Sequence, residues 1–418
     1  MLNITGLNPF CSALLPIGST AFGAELLHLG PAETPDHAVE THRKPRVTWR
    51  VTRSCNMNCR SCVSDPLPSR DESELTTREG IDLIADLATF GVPSLLFAGG
   101  EPLLRGDLVE WLAYTHERGI QASLLTNGTL LSRKKAEELR RAGLPSVSIL
   151  PEGLGREVDC RRGAPGVFDA VLEGYASCEA AGLAAEIRTP LRRWNYSGLA
   201  DFLGFIERRQ IRRVVFVHLV YTGRGNSPHG DLTHDEKRRA LDLIREAADD
   251  FLRRGISITM ATDENHADGI YLYLRWARRD PGRATSALRL LQSTRADVHG
   301  SGVRLAGIGS WGDVHPDPYW AYTLGNVRAR PFGEIWSDNS DSLLCGLRDR
   351  LPRLKGRCAK CRWKLSCGGN LRVRTQEFFG DPWMSDPACY LTEEEIGKEV
   401  MEQVAAMEDD VLLSGQAA

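Results

Sequence analysis

Arg46-Val-Thr-Trp-Arg-Val-Thr52-Arg-Ser-Cys55-Asn-Met-Asn-Cys59-Arg-Ser-Cys62 sets a β-rich run directly against three cysteines. The run reads as a strand over 47–52, so the C-x3-C-x2-C triplet falls on the loop at that strand's carboxyl end. Three thiolates within eight residues can wrap one face of a 4Fe–4S cube and leave one iron without a protein ligand. Two blander readings stand beside this one. Zinc takes thiolates but closes its shell with four ligands, and unligated cysteines pack as small hydrophobes.

Working outward, short β-rich runs alternate with amphipathic helical stretches, the pattern of βαβ units and a parallel sheet. Strands are expected near 47–52, 94–98, 121–125, 146–150, 184–189 and 213–219. Helices are expected near 76–90, 107–118, 132–142, 166–181 and 196–209, with Thr76 and Ser132 placed as N-caps. Six strand–helix steps are fewer than the eight of a closed barrel. The expected fold is therefore α/β, a partial (β/α)6 barrel with its site at the carboxyl ends of the strands. A long charged helix is expected over 233–255 and another near 283–300.

The expected organisation is an N-terminal extension (1–45), the barrel (46–255), a connecting region (256–310), a small Cys-rich α+β unit (311–395) and a C-terminal helix and tail (396–418). The chain has 418 residues, 42% apolar and 26% charged, with a formal net charge of −3. It lacks the basicity of a nucleic-acid binder. No run approaches the roughly 18 apolar residues of a membrane span, and residues 10–30 lack a signal-peptide layout. Eleven cysteines in such a chain point to metal or redox use rather than a disulfide scaffold. A cytoplasmic location is expected.

A second cysteine set lies in Gly356-Arg-Cys358-Ala-Lys-Cys361-Arg-Trp-Lys-Leu-Ser-Cys367-Gly-Gly-Asn370, with Cys389 following in Asp386-Pro-Ala-Cys389-Tyr390. Cys358, Cys361, Cys367 and Cys389 supply four ligands, enough to close a 4Fe–4S cluster. They would equally satisfy tetrahedral zinc. Cys345 is a spare nearby, while Cys11, Cys160 and Cys178 read as ordinary buried or free thiols.

The first triplet, together with Phe97-Ala-Gly99-Gly100-Glu101-Pro102 and Leu124-Leu-Thr126-Asn127-Gly128, resembles the radical S-adenosylmethionine (SAM) superfamily. The resemblance implies that Cys55, Cys59 and Cys62 hold the cluster that binds and cleaves SAM. It assigns Gly99, Gly100, Glu101, Pro102, Thr126, Asn127 and Arg188 to the SAM site, with Glu101 on its ammonium, Thr126 on its ribose and Arg188 on its carboxylate. Two departures stand out. Ser61 replaces the usual aromatic before the third cysteine, and Ser148-Ile-Leu-Pro151-Glu152-Gly153 replaces an S-L-D-G pattern after the fourth strand. The second set resembles the SPASM/twitch extension, which implies one auxiliary 4Fe–4S cluster, since Leu371 stands where a fuller extension has another cysteine.

Residues 314–391, with Val314-His-Pro-Asp-Pro-Tyr-Trp320, Leu324-Gly-Asn-Val-Arg328 and Gly380-Asp-Pro-Trp383, resemble the NirJ family of haem d1 biosynthesis, as do His218 to Gly225 and Ala267 to Gly269. That resemblance implies oxidation of propionate side chains on a sirohaem-derived tetrapyrrole, with flavodoxin or ferredoxin as electron donor. Arg224, Arg328, Arg330, Arg372 and Arg374 are candidates to face a polycarboxylate, which guanidinium binds in bidentate fashion. His218, Tyr221 and His315 are candidate axial ligands or proton donors. The alternatives are modification of a ribosomally made peptide and, outside catalysis, a two-cluster electron carrier or a zinc-stabilised interaction protein.

Overall fold

The computed structural model describes residues 2–5, 44–224, 227–293 and 300–397. The acidic stretch from Glu33 to His42, Cys11, Gly225 and the tail from 398 onward lie outside the described residues.

Eleven strands form one sheet. They are β1 (Leu2–Asn3), β2 (Arg46–Thr52), β3 (Ser94–Gly99), β4 (Gln121–Thr126), β5 (Ser146–Ile149), β6 (Ala184–Pro190), β7 (Arg213–Val217), β8 (Thr259–Asp263), β9 (Leu305–Ile308), β10 (Asp313–His315) and β11 (Gly325–Asn326). Their spatial order is β1-β8-β7-β6-β5-β4-β3-β2-β9-β10-β11. From β8 through β9 neighbouring strands pair in parallel. The short outer strands β1, β10 and β11 pair antiparallel. The six expected strands are all present, and β8 and β9 extend the parallel run by one strand on each side.

Helices fill the connections as the periodicity predicts, among them Thr77–Phe90, Leu108–Glu117, Arg133–Arg141, Val167–Ala180 and Leu199–Arg208. Thr76 and Glu79 form a reciprocal capping box, and the Ser132 hydroxyl accepts from Lys135 N–H. The capping satisfies backbone donors that a helix's first turn otherwise leaves open.

Strand alternation divides the sheet into two chemistries. Val47, Trp49, Leu95, Phe97, Leu124, Val147, Ile187, Val214 and Phe216 are buried. On that helix-facing side Trp49 packs against Trp111 with ring centroids 4.5 Å apart and the planes tilted by 35°. The opposite positions include Arg50, Ser123, Ser148, Glu186, Arg188 and Asp263. Ser148 Oγ donates to Glu186 Oε1 at 2.6 Å across the paired strands β5 and β6. The inner wall of the barrel is thus polar, as a site for a charged ligand requires.

The cysteine-bearing segment 356–397 packs on the strand ends through several short helices, of which Arg372–Phe379 is the longest. Asn265, just after β8, joins the two: its Nδ2 donates to Ala388 O at 3.2 Å and its Oδ1 accepts from Asn370 Nδ2 at 2.7 Å. Among the described residues no helix is long and apolar enough to cross a membrane.

Candidate active site

The cysteine loop leaves β2 and is fixed at its base by buried Glu74, which accepts from Thr52 Oγ1 at 3.0 Å and from Arg53 N at 2.7 Å. Arg105, itself buried, balances Glu74 at 3.6 Å and Asp107 at 2.6 Å. The sequence reading named neither Glu74 nor Arg105. Cys55, Cys59 and Cys62 are partly exposed on this loop. Burial pushes all three thiols up, Cys59 to about 11, and Cys59 also feels the charge of the other two. The three thiols thus lie within electrostatic reach of one another. Cluster assembly would remove their protons, since the thiolate is the ligand.

Gly99 and Gly100 let the end of β3 press on that loop. Gly99 has φ +139°, and a Cβ there would stand 2.4 Å from Thr52 O; a Cβ on Gly100 would stand 2.2 Å from Ser54 O. The close approach is stitched by Gly100 N to Thr52 O and Glu101 N to Ser54 O, both 2.7 Å. Glu101 is fully buried, and burial raises its pKa against the hydrogen bonds that lower it. Its carboxylate accepts from Leu103 N at 3.0 Å, Thr126 Oγ1 at 2.8 Å and Asn127 N at 2.8 Å. Glu101 and Thr126 therefore bind each other here, tying β3 to β4. Pro102 opens the short turn that follows. Asn127 reaches back to the cysteine loop, donating to Asn56 Oδ1 at 2.8 Å, with Cys55 Sγ 3.9 Å away.

Glu152, in the departed loop after β5, has φ +65° and lies 3.9 Å from Arg162 Nε. Its charge reaches Cys59 and Cys62. Arg192 Nη2 donates to Ser61 O at 3.4 Å. The floor under the triplet is thus lined by buried Glu152, Arg162 and Arg192.

Further round the wall Arg188 bridges Asp263 at 2.6 Å and Glu186 at 3.4 Å, its side chain 15% exposed and that of Asp263 20%. These side chains are partly open on the inner wall of the sheet. Beside them the Tyr319 hydroxyl donates to Glu264 Oε1 at 2.9 Å. Burial and the neighbouring Asp263 push Glu264 up to about 7, while Asp263 itself is held below the carboxylate range, with the Arg188 guanidinium among the charges that lower it. Glu186, Asp263, Glu264 and Tyr319 were not singled out in the sequence. Charged residues two apart on one strand, as Glu186 and Arg188 are, carry that signal.

His218 follows β7, its Nε2 3.0 Å from Asp268 Oδ2, whose other oxygen accepts from Tyr390 Oη at 2.7 Å. Its buried Nδ1 has no hydrogen-bond partner. Tyr221 donates to Asp231 at 2.7 Å, and Lys237 binds the same carboxylate at 2.6 Å. His315 Nδ1 lies 2.9 Å from Tyr322 O, and burial lowers its pKa.

The five candidate arginines do not converge. Arg224 joins the cysteine loop, its N donating to Cys62 O and its Nη1 to Asn58 Oδ1, both at 2.8 Å. Arg328 pairs with Glu79 at 2.6 Å and Arg330 with Asp338 at 2.9 Å. Arg374 is fully buried, binding Asp386 at 2.8 Å, Leu219 O at 2.8 Å and Glu264 O at 2.6 Å. Arg372 is buried against the second cysteine set.

In that set Cys367 feels the charges of Cys389, Cys358 and Cys361, and burial pushes it well above the usual thiol range. The Cys367 carbonyl accepts from His266 Nδ1 at 3.0 Å. Cys345 donates to Asn339 O at 3.1 Å, Cys160 is exposed and Cys178 is buried in the core. No described cysteine is in a disulfide. Among the described residues no three His, Cys, Asp or Glu side chains converge on one ion position. The fit of each set to a cluster rests on its donor chemistry, three thiols with room for a further ligand in one case and four in the other.

Residues 49–206 match the family described as the Radical SAM superfamily. The chain is 40% identical over 396 residues to Fe-coproporphyrin III synthase of Methanosarcina barkeri, covering 93% of this chain and 97% of that protein. It is 37% identical over 369 residues to pre-heme d1 synthase of Dinoroseobacter shibae, covering 87% and 90%. Among solved structures, Streptococcus suis SuiB bound to precursor peptide SuiA superposes with a TM-score of 0.64 at 18% identity, covering 83% of this chain and 76% of that one. The structure of anSMEcpe with bound AdoMet gives 0.63 at 15%, covering 88% and 100%. At those identities the structures speak for the fold, and the sequence relatives speak for descent over nearly the whole chain. With the triplet, the Gly-Gly-Glu-Pro turn and the parallel half-barrel in place, the chain belongs to the radical SAM superfamily and is an enzyme working with a 4Fe–4S cluster and SAM.

Proposed function

We propose that this enzyme acts on the side chains of a tetrapyrrole, with oxidation of propionates on a sirohaem-derived macrocycle as the reaction. The observation that carries the reading is the 40% and 37% identity to two proteins named for tetrapyrrole products, over 93% and 87% of this chain.

On this reading Cys55, Cys59 and Cys62 hold the SAM cluster, and Cys358, Cys361, Cys367 and Cys389 hold an auxiliary 4Fe–4S cluster. Once loaded, the first site supplies a 5′-deoxyadenosyl radical by reductive cleavage of SAM. The protein's part is placement. The Gly99–Gly100 turn fixes the cysteine loop, and Asn127 ties it to β4. Arg188, held between Asp263 and Glu186, offers a fixed cation to a carboxylate at the inner wall. His218, with a buried Nδ1 free of a hydrogen-bond partner among the described residues, is the proton acceptor or macrocycle-metal ligand we assign. The Glu264 carboxyl, which burial and Asp263 raise above the usual carboxylate range, is the acid–base group we assign to this wall. A flavodoxin or ferredoxin in the cytoplasm is the electron donor we assign.

The test is anaerobic reconstitution, reduction with dithionite and incubation with SAM and decarboxylated sirohaem, read by mass spectrometry. Loss of mass from the propionates together with 5′-deoxyadenosine is expected. Radical formation with an untouched tetrapyrrole, and modification of a peptide instead, overturns the substrate assignment.

A further inference from the structure

Arg372 is the first residue of the helix Arg372–Phe379 and is completely buried. One terminal nitrogen, Nη1, is anchored: it donates to Pro382 O at 2.9 Å and to Met384 O at 2.8 Å. The Nε and Nη2 groups are buried and have no hydrogen-bond partner among the described residues. Buried guanidinium donors without acceptors are costly, and native proteins seldom leave them so.

The surroundings narrow what the acceptor is. Among acidic groups, the strongest influences on the Arg372 charge are Cys358, Asp386 and Cys367, in that order. Asp386 is already engaged, with Oδ2 taking Arg374 Nη1 at 2.8 Å and Leu371 N at 3.2 Å, and Oδ1 taking Ala388 N at 2.8 Å. The two cysteines remain. The guanidinium also lies against the turn that follows Cys367, since a Cβ on Gly369 would stand 3.0 Å from its Cζ and 3.1 Å from Nη2. In return the Arg372 charge pulls the Cys367 thiol down, against the burial and neighbouring cysteines that raise it.

We infer that Arg372 directs Nε–H and Nη2–H at the sulfurs of the auxiliary cluster and raises its reduction potential. The inference rests on the reading that Cys358, Cys361, Cys367 and Cys389 hold that cluster. The physical reason is charge. Four thiolates around a 4Fe–4S core leave the site negative, and one-electron reduction adds another negative charge in a dry surrounding. A cation fixed beside the sulfurs, donating to them, stabilises the reduced form more than the oxidised one. Net charge, hydrogen bonds to sulfur and solvent exposure are the protein's levers on such potentials. Arg372 acts as a positioning and tuning residue and needs no contact with substrate.

The experiment is a redox titration of the full chain loaded with iron and sulfide, followed by electron paramagnetic resonance. The SAM cluster is identified by the change in its signal when SAM is added. Arg372→Gln is expected to lower the midpoint of the other cluster so that its reduced-to-oxidised ratio at a fixed potential falls at least tenfold, about 59 mV for one electron. Arg372→Lys, which keeps the charge, recovers part of that shift, and the SAM cluster does not move. An auxiliary midpoint in Arg372→Gln equal to the unsubstituted protein's overturns the inference. Failure of the four-cysteine reading looks different: Cys358→Ala with Cys361→Ala would then leave the bound iron unchanged. If Arg372→Gln does not take up the cluster, the unsubstituted protein made with heavy-nitrogen arginine decides the matter by pulsed resonance. A nitrogen coupling at the reduced auxiliary cluster supports the inference, and its absence overturns it.

Discussion

Glu101 Oε2 accepts the backbone N–H of Asn127 at 2.8 Å, so one buried carboxylate holds together the ends of two neighbouring strands. The same side chain also takes Leu103 N–H and the Thr126 hydroxyl. Glu101→Ala strands three donors and is expected to destabilise the ligand-free protein by at least about 3 kcal/mol. Denaturant unfolding without SAM checks this. A loss below about 1 kcal/mol, within the range of a single ordinary hydrogen bond, would show that the strand-end tie is not structural.

Gly100→Ala puts a methyl group 2.2 Å from Ser54 O, a backbone atom that cannot swing aside. The cysteine loop must shift with it. Iron bound at the first site is expected to fall, and 5′-deoxyadenosine formation to drop at least about tenfold, equivalent to about 1.4 kcal/mol of misplacement. Full iron content with unchanged turnover would disprove the contact's importance.

Glu264 brings a pH dependence whose sign can be worked out. Burial, followed by Asp263, raises its folded pKa from 4.5 to about 7. The unfolded chain therefore loses its proton at lower pH than the folded protein does. Between about 4.5 and 7 the folded state binds more protons, so this group's contribution to stability falls as pH rises. Glu264→Gln, which can still accept from Tyr319, is expected to melt higher than the parent at pH 8 and to lose that advantage near pH 4.5. Thermal melts of both proteins across the range would expose an error as a difference independent of pH.

Arg374 and Asp386 form an ion pair with neither side chain exposed. Arg374→Met leaves Asp386 charged and buried without its cation, a loss of about 3–5 kcal/mol. The melting temperature should fall accordingly. A variant melting with the parent would mean that Asp386 finds another partner.

The parallel half-barrel was legible because β2 to β7 bury apolar residues on alternate positions, and a period of two survives in the sequence. The two flanking strands were not. β8 reads Thr-Met-Ala-Thr-Asp and β9 reads Leu-Ala-Gly-Ile, too short and too mixed to separate from the turns around them. The cysteine sets stand out by spacing, since each lies close together along the chain apart from Cys389, but spacing leaves iron–sulfur and zinc both open. Arginine was the opposite case. Arg328 finds Glu79 at a separation of 249 residues, and Arg374 finds Leu219 O at 155. Residue type says that a guanidinium will seek an anion or a carbonyl, while only the fold says which one is near. For the same reason Glu264 and Tyr319, 55 residues apart, could not be paired beforehand.

The parallel pairing of Thr48 with Gly307 also sets the timing of the protein's birth. A ribosome adding about 5–20 residues per second takes tens of seconds to travel from the first of these positions to the second. Throughout that interval β2 has at most one of its two neighbours, and its open side is a template for any stray extended chain. The cysteine loop hangs from this half-paired strand until the last parallel strand arrives. Cellular handling of the nascent chain, by chaperones and by whatever delivers iron and sulfide, has to bridge those seconds.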